Sequence, residues 1–212
     1  GSTTAAVAAV ETVPYAPVGP TPITRAVSPA PKATPVANGA VAASTANGAL
    51  ALDGGSATVE IRNADEERQS EIEKALARFD EAGLELPSLI IEWHDDRSGC
   101  NGSGGLFRWG ADIARVDLCT SETFVLLHEL GHAWDVTNLT DDQRQEFLRA
   151  AELMAWSDAS TPWKERGCEV AANTIAVGLA YRELSHFDLP LLEEELELYE
   201  TLTGRPSPRI TD

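Results

Sequence analysis

Apolar and polar residues alternate through Thr58-Val59-Glu60-Ile61-Arg62, which predicts a short strand, and Leu89-Ile90-Ile91-Glu92-Trp93 predicts a second. Between them Asn63 or Asp65 can cap a helix from about 65 to 83, with Ile72, Leu76 and Phe79 on its apolar side and Gly83 as its stop. After a flexible loop at Gly102 to Gly105, Leu106 to Trp109 and Ile113 to Leu118 read as two strands joined at Gly110-Ala111. The second strand feeds a helix whose first turns, Phe124 to Leu127, are apolar enough to bury it, with Thr120 or Ser121 as its cap. Thr140-Asp141-Asp142-Gln143 fits a capping box for a helix to about Trp156. Pro162-Trp163 breaks the chain before another helical stretch, and a last helix from about Asp188 puts Leu192, Leu196, Tyr199 and Leu202 on one side, closed by Gly204.

Residues 1–57 show neither period. They are Ala, Val, Thr, Pro, Ser and Gly with repeated prolines, and only Glu11, Arg25, Lys32 and Asp53 carry charge. Such a stretch cannot bury enough apolar surface to fold and is expected to be a disordered linker, leaving residues 58–212 as the domain. Gly1-Ser2 without an initiator methionine reads as a trimmed start. The linker's four charges cancel, so the whole net charge of -18 falls on the domain. A domain that acidic repels phosphate backbones, so nucleic acid is not expected as a partner. No stretch is long and apolar enough to span a bilayer.

The candidate chemistry lies in His128-Glu129-Leu130-Gly131-His132. On a helix His128 and His132 stand one turn apart on one face, so both imidazoles can reach a single metal ion. Glu129 lies about 100° round the helix, where its carboxylate can reach a metal-held water without ligating the metal. A catalytic zinc takes three protein ligands, and the third is not in the local extension of the motif, because Asn138 stands where a third histidine would be. Downstream, Glu169, Ala172, Asn173 and Ala176 share one helical face. Alanines there allow a close approach, so Glu169 can ligate the metal while Asn173, one turn on, hydrogen-bonds a ligating histidine. His94-Asp95-Asp96 is not expected to bind metal, since consecutive residues on an extended chain point to opposite sides.

His128, Glu129 and His132 on one helix with Glu169 on another resemble the gluzincin branch of the zincin metallopeptidases, the thermolysin-like group. The group typically has aspartate four residues after the ligating glutamate, and Asn173 departs from that. The resemblance implies a small α+β zincin-like domain, a mixed sheet packed on helices, holding one Zn2+. It implies hydrolysis of peptide bonds in a peptide or protein substrate, with Glu129 as general base to a zinc-activated water and then as proton donor to the leaving amine. It also implies that Leu106 to Trp109 is an edge strand that takes substrate by strand addition, against the alternative of a hairpin arm packed under the 96–105 loop. The competing reading is a zinc-containing binding module with little or no catalysis; a metal-free helical domain is a third.

Zincins commonly supply a further donor to the carbonyl oxygen. Tyr181 is tempting but lies about 18 Å along a helix axis from Glu169, which leaves His186, past that helix, and Arg166, one turn before Glu169, as candidates. Among the cysteines, Cys100 and Cys119 bracket the hairpin and are expected to pair. Cys119 is about 13 Å along the helix from His128, too far for a bridge to Cys168 beside Glu169, so Cys168 is expected to be free and not a ligand. The disulfide, the linker and the lack of nucleic-acid charge together point to an extracytoplasmic protein, and a monomer is expected.

Overall fold

The computed structural model describes residues 49–51, 57–110, 113–180 and 192–208. Strands β1 (Ala49–Ala51) and β2 (Thr58–Arg62) precede helix α1 (Glu66–Glu81), and β3 (Leu89–Trp93), β4 (Gly105–Trp109) and β5 (Ala114–Leu118) follow it. Helices α2 (Thr123–Asn138), α3 (Asp141–Ala150), α4 (Gly167–Leu179) and α5 (Leu192–Thr203) complete the α+β arrangement. The sheet is mixed and five-stranded in the order β1-β2-β3-β5-β4. The three central strands run parallel, and β1 and β4 pair antiparallel at the two edges.

Period-two patterning gives the sheet one apolar face. Val59, Ile61, Leu89, Ile91, Val116 and Leu118 are buried there and join Ile72, Leu76 and Phe79 of α1 and Leu127 and Leu130 of α2 in one core. The opposite face carries ion pairs, Glu60 with Arg62 at 2.8 Å and Glu92 with Arg115 at 2.7 Å. The alternation therefore sets which side of the sheet the helices cover.

Helix ends follow local chemistry. Asp65 caps α1 by accepting the Arg68 N–H. Gly83, at φ 66°, ends it: its own N–H reaches Asp80 O and that of Leu84 reaches Phe79 O. At α3 the expected capping box is present, with Thr140 and Gln143 bonding each other's main chain.

Three expectations need correction. Ala49–Ala51, inside the stretch read as linker, pairs with β2 as β1; an Ala-Leu-Ala segment has no apolar-polar contrast to betray a strand whose partner is backbone. Helix α2 starts at Thr123 with Glu122 as its cap residue, and no side chain caps it. Helix α3 stops at Ala150 rather than near Trp156, because Glu152 turns into the left-handed region at φ 55° and the Leu153 N–H closes on Leu148 O. That closure usually belongs to glycine, so the sequence carries no signal for it.

Candidate metal centre

Helices α2 and α4 pack more extensively on each other than any other pair of elements, and their crossing makes the site. Gly131 faces α4 there: a Cβ on it would lie 3.2 Å from the Cα and the carbonyl oxygen of Ala172. With only hydrogen and methyl between the backbones, the side chains beside this contact can meet.

Three of them do. The two Nε2 atoms of His128 and His132 stand 3.1 Å apart, and Glu169 Oε2 lies 3.3 Å from the first and 3.2 Å from the second. Donors held about 2.0–2.1 Å from a tetrahedral zinc are about 3.3–3.4 Å from one another, so the triangle has nearly the edge length such an ion requires. His128, His132 and Glu169 could hold a metal ion, and they are the expected residues.

The imidazoles are held from behind. Asn173 Oδ1 sits 2.9 Å from His128 Nδ1, so this ring carries its proton on Nδ1 and turns the Nε2 lone pair to the triad. Phe107 of β4 stacks against His132 with centroids 5.9 Å apart, and Trp163 approaches His128 at 6.1 Å. Trp163 remains 54% exposed, so the triad is walled by aromatic rings and open to solvent beside one of them.

The electrostatics are those of a donor cluster sharing protons. Burial would raise the Glu169 pKa, but hydrogen bonds from both histidines override it and hold the carboxyl down at about 2. Burial opposes charge on His132, yet the bond to Glu169 and nearby carboxylates leave its pKa raised. For Glu129 burial dominates and the pKa rises, against the pull of both histidines and of the nearby Phe107 N–H. Glu129 is thus a buried carboxylate beside the triad and outside it, with its protonated form favoured relative to an exposed glutamate.

The start of α4 is fixed by the preceding loop. Gly167 N–H donates to Ala155 O and Cys168 N–H to Trp156 O, each at 2.9 Å. These contacts place Glu169 in the first turn of α4, where the helix dipole favours a carboxylate. Any side chain on Gly167 would run into Leu148 and Trp156. Buried Asp135, on α2 one turn past His132, is held by Arg144 of α3 at 3.2 Å, and Arg144 lies over the Trp156 ring.

Other expected residues take varied places. Cys100 and Cys119 form a disulfide, with Cα atoms 6.2 Å apart. Cys168 is free and absent from the donor group, and burial together with nearby Glu169 and Asp135 pushes its thiol up to about 12. The Arg166 guanidinium binds loop carbonyls, Thr161 O at 3.0 Å and Ala159 O at 3.4 Å. Tyr181 and His186 lie outside the described residues. His94 pairs at 2.7 Å with buried Asp117 of β5. Strand β4 is the sheet's last strand, paired on one side with β5. Phe107, Trp163, Gly105 and Asp135 were not picked out from the sequence; Asp135, three residues after His132 on a buried helix, was the one with a readable signal.

Comparison with models of protein families, with curated proteins and with solved structures finds no match to this chain. Among the described residues no helix is long and apolar enough to cross a membrane.

Proposed function

We propose that this protein is a zinc-dependent peptidase of the gluzincin kind. The observation that carries the reading is Glu129: a buried carboxylate that lies beside a His128, His132, Glu169 donor triangle and is not one of its corners. A purely structural metal site has no use for such a group, and a fourth protein ligand would normally close it.

A zinc ion, when bound, supplies Lewis acidity and lowers the pKa of the water it holds to about 7. The rest falls to the chain. His128 and His132 give neutral Nε2 donors, and Glu169 gives a charge that offsets part of the cation's. Asn173 keeps His128 in the right tautomer. Glu129 takes the proton of the attacking water and returns it to the departing amine, and its raised pKa suits both halves of that exchange. The Phe107 carbonyl and the Trp109 main chain, on the side of β4 away from β5, offer groups for an extended peptide, which is bound by strand addition with Phe107 and Trp163 flanking the reacting bond. The substrate is a peptide or protein, and the disulfide and the acidic surface fit an extracytoplasmic enzyme.

The test combines a metal assay with digestion of a general peptide library by the wild type and by Glu129→Gln. One equivalent of zinc in both, with cleavage in the wild type alone, is the expected result. Stoichiometric zinc without cleavage in either would favour a metal-bearing binding module. Absence of zinc would remove the proposal altogether.

A further inference from the structure

The outward side of β4 passes Glu129. Cys119 N–H donates to Gly104 O and Gly110 N–H to Ile113 O, so even-numbered residues of this arm face β5. By alternation the main-chain groups of Gly105, Phe107 and Trp109 face outwards. An outward N–H on an edge strand ordinarily bonds water, but that of Phe107 lies close to the Glu129 carboxylate.

Gly105 makes this contact possible. A Cβ there would lie 2.6 Å from Glu129 Cγ, 2.7 Å from Oε1 and 3.0 Å from Cδ, so the side chain occupies the space that any other residue would fill. The backbone does not ask for glycine: Gly83, Gly102 and Gly204 have positive φ, and Gly105 does not. Glycine within a strand also costs stability, since it adds chain entropy and packs nothing. The three atoms nearest to the missing Cβ all belong to Glu129. None of them belongs to His128, His132 or Glu169, the corners of the donor triangle.

We propose that Gly105 is a positioning residue for Glu129, keeping open the channel through which the carboxylate docks on the Phe107 N–H beside the metal centre. The inference rests on the peptidase reading for its catalytic consequence and on the contact between Gly105 and the Glu129 side chain for the placement. A methyl group at 105 meets the far half of a flexible side chain, so the fold survives and the carboxylate moves. The expected signature of Gly105→Ala is therefore unusual: stability kept or raised, zinc binding kept, proton transfer lost.

The experiment is amide hydrogen exchange by NMR on the full chain, wild type, Gly105→Ala and Glu129→Ala, alongside zinc titration, thermal melting and peptide cleavage. In the wild type the Phe107 amide is expected to be protected although it faces the open edge. In both variants its protection falls about tenfold or more, while Leu106 and Arg108, bonded to β5, keep theirs. Zinc affinity and Tm do not fall in Gly105→Ala. Cleavage drops about 100-fold or more in kcat with KM little changed, and Gly105→Ala adds nothing in a Glu129→Ala background. A Phe107 amide unprotected in the wild type, or equally protected in Gly105→Ala, overturns the placement. Full kcat in Gly105→Ala overturns the positioning role. If the wild type cleaves no peptide, the exchange results still decide the placement, and only the peptidase reading fails.

Discussion

Gly131 and Ala172 meet where α2 crosses α4, so closely that a Cβ on Gly131 would stand 3.2 Å from Ala172 Cα. His128 lies one turn before Gly131, His132 directly after it and Glu169 one turn before Ala172, so the width of this contact sets whether Glu169 reaches the histidines. Replacing Ala172 with Leu wedges the helices apart. The expected result is a loss of about 1–3 kcal/mol in stability from overpacking, together with a large loss of zinc affinity. Denaturant melts and zinc titration measure the two effects. Unchanged zinc affinity in this variant would mean that the crossing does not control the site.

Within the triad the residues differ in what their loss costs. Glu169→Ala removes a donor and should abolish most zinc binding. Asn173→Ala leaves all three donors and releases the His128 ring, for an expected loss of about 10–100-fold in zinc affinity. Competition with a chromophoric chelator resolves both variants. Equal loss in the two would place Asn173 among the donors rather than behind one.

The metal-free protein should show a pH signature of the same cluster. The Glu169 pKa is depressed to about 2, below the ordinary value of ~4.3. Its contribution to stability is therefore present above about pH 4.3 and lost as the pH falls through about 2. His132 has a raised pKa, so its contribution is complete below about pH 6.5 and lost as the pH rises through its raised value. The stabilisation that Glu169 gives over Glu169→Gln should peak between those limits, read as the Tm difference across pH. Zinc reverses the alkaline side, because it binds only the neutral imidazole, and its affinity rises with pH.

Reduction tests the Cys100–Cys119 bridge. It closes a loop with a sequence separation of 19 that contains all of β4. Cys100→Ser with Cys119→Ser is expected to cost about 3 kcal/mol, mainly by freeing the unfolded chain. Denaturant unfolding of wild type and double variant gives the number, and Phe107 amide exchange reports whether β4 loosens first.

Cys168 should be inert. A thiol pushed up to about 12 has almost no thiolate at neutral pH. Native protein is expected to alkylate at Cys168 far more slowly than unfolded protein, and Cys168→Ser to bind zinc as the wild type does. Rapid native alkylation that zinc suppresses would instead make Cys168 a ligand.

Much of the site was legible because helical spacing is a strong ruler. His128 and His132 at i, i+4, and Glu169 with Asn173 at the same spacing, fixed their directions before any fold was known. The strands of the apolar face were legible for the same reason, with a period of two. Contacts between elements were not. Nothing in Gly105 distinguishes a turn glycine from one that makes room for Glu129, and Trp163 beside a proline reads as a loop residue until its ring lies near His128. Helix ends misled where an atypical residue did the work, as Glu152 does at α3.

Strand β1 has a consequence for solubility. A sheet offers two rows of unpaired main-chain groups, one along each edge, and an open row invites another copy of the chain to pair with it. Here β4 carries one edge, where the Glu129 side chain lies against Gly105. The other edge is β1, whose three residues lie along Thr58–Glu60 and leave only a short open row where β2 would expose a longer one. Ala49–Ala51 thus acts as a guard against self-association. A chain cut to begin at residue 57 would keep the metal donors and expose β2 to a neighbour's edge.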